Sequence, residues 1–483
     1  MHAIYAIIPC VTRKRRGFCM AVKKYFADRD FYKKVLAISV PIIIQNSFTH
    51  LVSLLDNVMV GTIGTEAMSG VSIVNEFLFI FNLFIFGAVS SAGLFTAQYH
   101  GTGDVIGVRH TFRFKIITNL IAAAIGILAF SIFSETLIST FLHESTSSGD
   151  LALTMTYGKE YLGVMLIGLV PYSIAQAYAS TSRETGDAKL PMIASVTAVL
   201  TNLVLNAILI FGLFGLPALG VVGAAIATVI SRFVELSVLI VGMYSHKDKY
   251  PFVKDAFSSL YIPPVLVRSI ALKGLPIMLN ELLWAASVTA RNTCYATRGL
   301  DVVASLNIST TICNLFSVAY MAIGAAIAII VGNQLGAGEI EEAKESAKKI
   351  NAFALVAASV MAVALAALSP VFPLMYNTSS EVRAYATYFI IIRAIIMPIQ
   401  SVSHSMYYTI RSGGRVFVTM LFDSVFMWTI AYPLALGISL TQLGILWFFP
   451  ISQAAEIIKV VIGAVMIRRI DWARRIVPES QNA

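Results

Sequence analysis

The stretch Ile116–Phe133, which reads IITNLIAAAIGILAFSIF, carries no charged side chain and is close to the ~20 residues that cross the hydrocarbon core of a bilayer. Three comparable runs follow at Met192–Leu213, Ala352–Leu368 and Val416–Leu436. Inside lipid, only α-helices and closed barrels satisfy all of their backbone polar groups. Barrel strands would alternate apolar with polar residues, and these runs do not. The sequence therefore predicts membrane-spanning helices.

The composition of the whole chain agrees with this interpretation. Of its 483 residues, 57% are hydrophobic and 13% are charged, and the mean hydropathy is +0.79. Soluble domains carry about 25% charged residues, so this chain has too little charge to cover its surface with a polar layer. We expect an all-α integral membrane protein with twelve transmembrane helices.

An internal repeat organises these helices. Pro41 lies in the sequence SVPII, and Pro276 lies in GLPIM at an offset of 235 residues. The same offset relates three glycines of the first half to glycines of the second half: Gly64 to Gly299, Gly101 to Gly336 and Gly103 to Gly338. Parallel repeats of this kind pack about an axis along the membrane normal, with the substrate path between them. The repeat predicts two six-helix lobes related by a pseudo-two-fold axis, and it favours a transporter.

The predicted helices divide the chain into five parts. These are a cytoplasmic N-terminal segment (1–32), an N-lobe of helices 1–6 (33–245), a cytoplasmic linker (246–269), a C-lobe of helices 7–12 (270–467) and a cytoplasmic tail (468–483). In the first segment the apolar stretch Ala3–Val11 precedes the basic run Arg13–Arg16, which reverses the order of a secretory signal. Met20 opens a more ordinary N-terminal sequence and is an alternative start.

Positive charge is concentrated on one side of the predicted helices. Most of the 35 Lys and Arg residues fall in the N-terminal segment, the linker, the tail and alternate loops, to which we assign Arg113, Lys115, Arg183 and Arg411. By the positive-inside rule, both termini are cytoplasmic and the number of spans is even. The net charge of +9 is spread over helix ends and forms no single patch, which argues against nucleic-acid binding. We expect a multi-pass protein of the plasma membrane.

Signatures of common enzyme classes are missing from the sequence. It contains no Walker A motif, no G-x-S-x-G and no H-E-x-x-H, and its four cysteines have no metal-ligand spacing. A membrane-embedded enzyme would need clustered nucleophiles or metal ligands, and none stands out. We therefore expect no enzymatic activity, no cofactor other than a coupling ion, and an ion gradient as the energy source.

Several short motifs follow one another in order. They are Asp56-Asn-Val-Met-Val-Gly61, Gly101-Thr-Gly103, Asn202-x-x-x-Asn206, Asn333-Gln-Leu-Gly-Ala-Gly338 and Arg411-Ser-Gly413. With Pro41 and Pro276, this set resembles the multidrug and toxic compound extrusion (MATE) family from about residue 33 to residue 472. The resemblance implies a cavity that alternates between inward- and outward-open states and exports amphipathic, mostly cationic compounds in exchange for Na⁺ or H⁺. The fold needs no partner subunit, which favours a monomer.

The resemblance also implies roles for single residues. Asp56 occupies the position of a first-helix aspartate linked to ion coupling, with Na⁺ as a candidate ligand. Pro41 matches a proline proposed to bend that helix. Asn202 and Asn206 stand where one branch of the family has Asn-x-x-x-Asp, so the second carboxylate of that branch is absent here. Glu281 matches a seventh-helix glutamate that another branch uses.

Intramembrane charges lead to the same residues without the resemblance. A charged side chain at the bilayer centre costs at least about 2.5–3.5 kcal/mol, so each must face a cavity or a partner. Asp56 lies near Ser53 and Asn57, and together their oxygens suit a hard cation. The alternative role of Asp56 is an interhelical hydrogen bond that fixes the packing of the lobe.

Glu281 is the corresponding candidate in the second half. Its carboxylate could neutralise a cationic drug or carry a proton, and the alternative is a salt bridge with Arg291 or Arg393. The repeat places Asp56 opposite Arg291, and Glu281 opposite Asn46. This asymmetry leads to the hypothesis that the two halves have separate ion and drug duties.

The other polar residues within the spans are open to two interpretations. Glu76 has no obvious partner and is a candidate to line the cavity. Asp423 fits a substrate or proton site and a structural role equally well. Structural roles are considered for the rest: ion pairs of Arg232 with Glu235 and of Glu456 with Lys459, and hydrogen-bonded core positions for His50 and His404. The closest alternative function is a lipid-linked oligosaccharide flippase, which would carry basic residues in its cavity, whereas the charges here are mixed.

Overall fold

The computed structural model describes residues 27–144 and 150–478, apart from the side chains of Leu54, Asn57 and residues 141–144. Its long helices are α1 (Arg29–Gly61), α2 (Thr65–Gly101), α3 (Val105–Glu144), α4 (Leu151–Glu184), α5 (Lys189–Phe211), α6 (Gly220–Ser245), α7 (Pro264–Ala296), α8 (Leu300–Ala337), α9 (Ile340–Leu368), α10 (Ser380–Ser412), α11 (Val416–Ser439) and α12 (Ile445–Arg469). The proposed start at Met20 and the Asn57 side chain lie outside the described residues.

The helices confirm the prediction of an all-α membrane protein. Within the described ranges, eleven of them are long and apolar enough to cross a membrane. The remaining helix is α7, which carries four charged side chains, at Arg268, Lys273, Glu281 and Arg291. A helix with so many charges is stable in a bilayer when its polar face is covered by other helices.

Local sequence explains where several helices begin and end. Asp28, Asp150 and Ser379 each precede a helix and accept hydrogen bonds from backbone N–H groups of its first turn. Gly212 and Gly338 follow α5 and α8 with φ angles of 70° and 85°, in the left-handed region that favours glycine.

Four prolines lie inside helices at repeat-related positions. Pro41 in α1 corresponds to Pro276 in α7, and Pro171 in α4 corresponds to Pro398 in α10. A proline inside a helix removes one backbone hydrogen bond and clashes with the preceding turn, so the helix bends more easily there. The predicted hinge residue Pro41 thus lies within a continuous helix.

Helix packing divides the molecule into two groups. Helices α1–α6 pack mainly on one another and form the N-lobe, and α7–α12 form the C-lobe in the same way. Contacts between the lobes are made by α1 with α8 and by α2 with α7 and α8.

The two lobes close against each other on the face where α1 begins and α12 ends, here called the terminal face. At the ends of α2 and α8, a Cβ atom on Gly101 would overlap the Asn333 carbonyl oxygen, and one on Gly336 would overlap that of Gln98. The contact is reciprocal because the repeat that relates Gly101 to Gly336 also relates Gln98 to Asn333. Small residues permit this close approach of membrane helices.

The C-terminal tail lies beneath this closure. The Gln98 side-chain amide donates hydrogen bonds to the carbonyl oxygens of Ser412 (3.2 Å) and Arg474 (3.1 Å), and its oxygen accepts one from the Ile476 N–H (2.7 Å). Trp472 is buried among apolar residues of α1, α8 and α9. The tail therefore contacts both lobes at the place where they meet.

Four basic residues that were assigned to loops lie in helices. The connection between α2 and α3 comprises residues 102–104, so Arg113 and Lys115 belong to α3, while Arg183 lies in α4 and Arg411 in α10. The assignment was wrong because these helices continue for several turns beyond their apolar segments. Likewise, α7 begins inside the predicted linker 246–269, and α1 and α12 extend slightly past the predicted lobe boundaries.

The linker after α6 packs on the N-lobe through one buried arginine. Arg113 donates hydrogen bonds to the carbonyl oxygens of Ala256 (2.5 Å), Tyr261 (3.1 Å) and Asp255 (3.2 Å). Hydrogen bonds from a charged donor are stronger than neutral ones, so this contact fixes the course of the linker.

Asp187, in the loop between α4 and α5, holds the start of the same linker. Its carboxylate accepts hydrogen bonds from the Lys249 ammonium, the Tyr250 hydroxyl and the Lys189 backbone N–H. Burial alone would raise the pKa of Asp187, but these hydrogen bonds and the Lys249 charge outweigh it and hold the pKa below its usual value. The ionised form of Asp187 therefore stabilises the folded protein.

Asp187→Asn is expected to destabilise the protein by roughly 1–2 kcal/mol near neutral pH, because it weakens charge-assisted hydrogen bonds that are partly exposed at Lys249. Since the pKa of Asp187 is lower in the folded than in the unfolded chain, the wild-type advantage is complete above the unfolded pKa and is lost as the pH falls through the folded pKa. Thermal unfolding in detergent across this pH range measures the difference. The control is Asp248→Asn, which changes an exposed acid of the linker. An advantage that grows on acidification would contradict the assignment.

Candidate functional site

The N-lobe contains a polar cavity of about 530 Å³. Side chains of α1, α2, α4, α5 and α6 line it, and the polar ones include Asp56, Glu76, Asn206, Thr228 and Arg232. The structure thus brings together three of the residues singled out from the sequence, namely Asp56, Glu76 and Asn206.

Asp56 is held by side-chain amides of α5. Its Oδ1 accepts a hydrogen bond from Asn206 Nδ2 at 2.6 Å, and the same nitrogen lies 3.2 Å from Asn202 Oδ1. When the Asn202 amide is turned by 180°, its Nδ2 lies 3.2 and 3.1 Å from the two Asp56 oxygens and its Oδ1 accepts from the Thr228 hydroxyl. The turned orientation satisfies both ends of the amide and is the better assignment. In either orientation, the partners of Asp56 among the described residues are neutral.

This arrangement of oxygens fits a small hard cation. Asn206 Oδ1 is buried and accepts no hydrogen bond from a described residue, so it is free to act as a ligand. Carboxylate, amide and hydroxyl oxygens, as in Asp56, Asn206 and Thr228, are ligands that such cations prefer. A proton on Asp56 fits as well, because a neutral carboxyl group can donate to the amide oxygen. The site therefore accommodates either candidate coupling ion.

Two further charged residues line the N-lobe cavity. Glu76 is exposed to it and forms no hydrogen bond or ion pair with a described residue. Arg232 stacks over Tyr172 of α4, with its guanidinium carbon 5.0 Å from the ring centroid. The predicted ion pair between Arg232 and Glu235 is wrong, because Arg232 turns toward this ring.

The C-lobe contains a buried polar network formed by α7, α11 and α12. Asp423 Oδ1 lies 2.7 Å from Lys459 Nζ, and Asp423 Oδ2 accepts a hydrogen bond from Asn280 Nδ2 at 3.1 Å. The backbone is π-helical over Leu421–Val425, a distortion that is frequent at functional sites. The expected pair of Lys459 with Glu456 is wrong, because Lys459 points toward α11 and binds Asp423.

Glu281 in α7 also has a basic partner. Its Oε1 accepts a hydrogen bond from the Tyr407 hydroxyl at 3.2 Å and lies 4.0 Å from Arg411 Nη1. The predicted partners Arg291 and Arg393 form no ion pair with it, and Arg393 lies over an aromatic ring of α12 instead. Arg411 was not considered as a partner because it had been assigned to a loop.

The carboxylates of the two lobes therefore differ in their surroundings. Asp423 and Glu281 face buried basic side chains, whereas Asp56 is held by neutral amides. A carboxylate with neutral partners exchanges a cation or a proton without competition from a fixed positive charge of the protein. The asymmetry that the repeat predicts is thus present in the partners of these acids.

A second cavity, of about 200 Å³, lies between the lobes and is lined by α2, α4, α8 and α10. Arg183, Glu184 and Arg411 are its charged residues. Fully buried Lys115 pairs with Glu184 and donates a hydrogen bond to the Thr181 hydroxyl at 3.1 Å. Sequence reasoning missed this cluster because it placed three of these basic residues in loops, although Arg411 was part of a recognised motif.

The two histidines considered for the core occupy other positions. His404 packs against the rings of Tyr320 and Tyr408, at centroid distances of 5.6 and 5.0 Å, and its Nε2 is buried without a hydrogen bond to a described residue. His50 is exposed, since α1 packs mainly on α5 and α8 and leaves one face uncovered. The predicted hydrogen-bonded core positions are therefore wrong.

The model of the MatE family matches this chain twice, at residues 41–208 and 276–436. The matches begin at Pro41 and Pro276, the two prolines that mark the internal repeat. The chain belongs to the MatE family. Members of this family are transporters, so this MatE protein is a transporter and not an enzyme.

Relatives of this MatE protein carry names of multidrug resistance proteins. The probable multidrug resistance protein NorM of Thermotoga maritima is 23% identical over 437 residues, which cover 89% of this chain and 90% of the relative. The probable multidrug resistance protein YoeA of Bacillus subtilis is 23% identical over 431 residues, covering 87% and 90%.

Solved structures share the fold of this MatE protein. The Vibrio cholerae MATE transporter VcmN in its bent form matches with a TM-score of 0.81 at 17% identity, over 91% of this chain and 97% of that chain. A MOP superfamily transporter from Pyrococcus furiosus matches with a TM-score of 0.79 at 19% identity, over 92% and 98%. The family resemblance and the fold predicted from the sequence are confirmed, while the roles of Asp56, Glu281 and Pro41 stay predictions.

Proposed function

We propose that this MatE protein is a secondary active multidrug exporter that exchanges amphipathic, mostly cationic compounds for Na⁺ or H⁺. Relatives named as multidrug resistance proteins support efflux. The N-lobe cavity supports the exchange, because Asp56 has only neutral partners there and Glu76 has none among the described residues. In this proposal the chain acts as a monomer in the plasma membrane, with both termini in the cytoplasm and no cofactor beyond the coupling ion.

Exchange requires that the ion and the substrate weaken each other's binding. Asp56, Glu76 and Arg232 are the charged residues of the N-lobe cavity, so it carries an excess of negative charge when both acids are ionised. A coupling ion that binds Asp56 with the amides of Asn202 and Asn206 removes this excess. A cationic compound held near Glu76 then loses electrostatic attraction and is released.

Transport also requires that the cavity opens to each side in turn. Pro41 lies on the same helix as Asp56, at a point where α1 bends easily. We infer that the change of charge at Asp56 is coupled to bending at Pro41. The closure at Gly101 and Gly336 separates the lobes from the predicted cytoplasmic side during release.

Glu281 and Asp423 are proposed to serve substrate or proton binding in the C-lobe. Each carboxylate would first have to leave its basic partner, Arg411 or Lys459. The alternative function, a lipid-linked oligosaccharide flippase, is not favoured, because the relatives are named for multidrug resistance.

Asp56→Asn is expected to reduce gradient-driven efflux to the level of cells without the transporter. An amide neither ionises nor attracts Na⁺ as a carboxylate does, so coupling is lost whichever ion is used. The measurement is ethidium efflux from a pump-deficient bacterial host under an imposed Na⁺ or proton gradient. Wild-type efflux should follow one of these gradients, which would identify the ion. Efflux by the variant that still follows the gradient would overturn the role of Asp56.

Two further variants test how specific this effect is, each with its amount in the membrane confirmed. Asp301→Asn changes an exposed acid at the start of α8 and should leave efflux unchanged. Glu281→Gln should lower efflux but keep the ion dependence of wild type, because ion and drug duties are divided in this proposal. Identical loss of ion dependence in Asp56→Asn and Glu281→Gln would refute that division. A wild type that exports nothing under either gradient would favour the flippase.

A further inference from the structure

The central cavity between the lobes is distinct from the N-lobe cavity that contains Asp56. Tyr172 lines the former and Arg232 lines the latter, and their stacked side chains separate the two spaces. Toward the terminal face, the crossing of α2 and α8 at Gly101 and Gly336 closes the central cavity. Because this face is the predicted cytoplasmic side, a substrate from the cytoplasm would reach the central cavity first when the crossing opens.

Arg411 brings a buried positive charge to the C-lobe wall of this cavity. Its side chain is 4% exposed, and its Nη1 donates a hydrogen bond to the Tyr407 hydroxyl at 3.0 Å. The nearest acid is Glu281, which at 4.0 Å is beyond hydrogen-bonding distance. The rings of Phe86 and Tyr408 lie 5.9 and 5.7 Å from the guanidinium carbon. These contacts hold Arg411 in place, but no contacting acid matches its charge.

Arg183 brings a second positive charge to the N-lobe wall. It is half-buried, and among the described residues it has neither a hydrogen bond nor an ion pair. The neighbouring Glu184 is engaged, since fully buried Lys115 pairs with it. A guanidinium group within the membrane is costly without a partner. An anionic group is therefore what this wall lacks.

The charges around the central cavity have a positive excess. The basic residues are Lys115, Arg183 and Arg411, and the acidic residues are Glu184 and Glu281. Much of the remaining wall is apolar and comes from α2 and α8, for example from Ile85, Val89 and Ile329. The cavity thus combines a basic end with an apolar surface.

We propose that the central cavity binds amphiphiles that carry an anionic group, a carboxylate, sulfonate or phosphate, which lies between Arg183 and Arg411. Guanidinium groups donate paired hydrogen bonds that match the oxygens of such groups. The apolar body of the compound packs on α2 and α8. This inference rests on the proposed efflux function and extends its substrates from purely cationic compounds to those that also carry an anionic group.

Binding of two matched dyes to the purified full-length protein in detergent tests the inference. One is a rhodamine with a free carboxylate, and the other is its methyl ester, which lacks the negative charge. Wild type should bind the free carboxylate more tightly than the ester. Arg183→Gln should weaken binding of the free carboxylate by about tenfold or more, the worth of a charge-assisted hydrogen bond, and should leave the ester within about twofold. Arg183→Lys should retain part of the preference.

Further variants keep the outcome interpretable. Arg411→Lys preserves a charge beside Glu281 but loses the paired donors, so it should weaken binding of the carboxylate dye selectively as well. Arg383→Gln, near the other end of α10, is the matched control and should change neither dye. Equal binding of the two dyes by wild type, or equal weakening of both in Arg183→Gln, would overturn the inference. Since binding is measured without a gradient, a failure of gradient-driven efflux would be seen separately and would count against the proposed function alone.

Discussion

Gly336→Ala is expected to reduce efflux by roughly ten- to hundredfold in a protein that still folds and enters the membrane. The added Cβ would overlap the carbonyl oxygen of Gln98, a backbone atom that cannot rotate away as a side chain can. Overpacking of this kind costs about 1–3 kcal/mol, and each ~1.4 kcal/mol shifts a conformational equilibrium tenfold. The cost falls on states in which α2 and α8 touch, so the variant would populate states with an open terminal face. Gly101→Ala should act in the same way, through Asn333.

Thiol labelling distinguishes this shift from simple loss of folding. Ala328→Cys, in a background without the native cysteines, places a thiol in the wall of the central cavity. A membrane-impermeant maleimide added from the terminal side should label it several-fold faster when Gly336→Ala is also present. Gly163→Ala and Gly437→Ala are matched controls, because a Cβ atom at either position would meet no atom within 4 Å. Wild-type efflux and labelling in Gly336→Ala would show that the closure is no part of the transport cycle.

Much of the fold could be predicted from the sequence because the membrane constrains it strongly. Apolar runs gave the helices, and the offset between Pro41 and Pro276 gave the two lobes. The same offset related Gly101 to Gly336, but it could not show that the two glycines lie at the helix crossing. A repeat specifies which positions are equivalent, whereas contact between them depends on how the lobes are oriented in space.

The candidate site could be predicted only in part. Asn202 and Asn206 are one turn apart on α5, so their common face follows from helical periodicity. The contact of Asn206 with Asp56 joins different helices, and helix register cannot be deduced from one sequence. For the same reason the partners of Asp423 and Glu281 were wrong or missing, since Lys459 and Arg411 approach from other helices.

Basic residues were also misplaced because apolar length is a poor guide to where a helix ends. Lys115 lies in the second decade of α3 and Arg411 in the last turn of α10, yet both are buried by neighbouring helices. A count of loop charges treats such residues as topology signals. In this transporter some of them line a cavity or form buried ion pairs instead.

Lys459→Met is expected to destabilise the C-lobe by about 3–5 kcal/mol, because it leaves Asp423 buried without its basic partner. Asp423→Asn should have a similar effect, since it leaves the Lys459 ammonium buried and unpaired. The double variant contains no uncompensated charge, so it should lose less stability than either single variant. Thermal unfolding in detergent measures these differences. The control is Lys159→Met, which removes a surface pair whose side chains are 41% and 75% exposed and should cost below about 1 kcal/mol.

Efflux by the double variant then decides what the Asp423–Lys459 pair does. Recovery of both stability and efflux would mean that the pair is structural, and that Asp423 takes no part in binding a substrate or a proton. Recovery of stability without efflux would support the transport role predicted for Asp423 from its position in the membrane. Losses that simply add would contradict the ion pair itself, because only independent sites are additive. The 2.7 Å contact between the two side chains makes strong coupling the expected result.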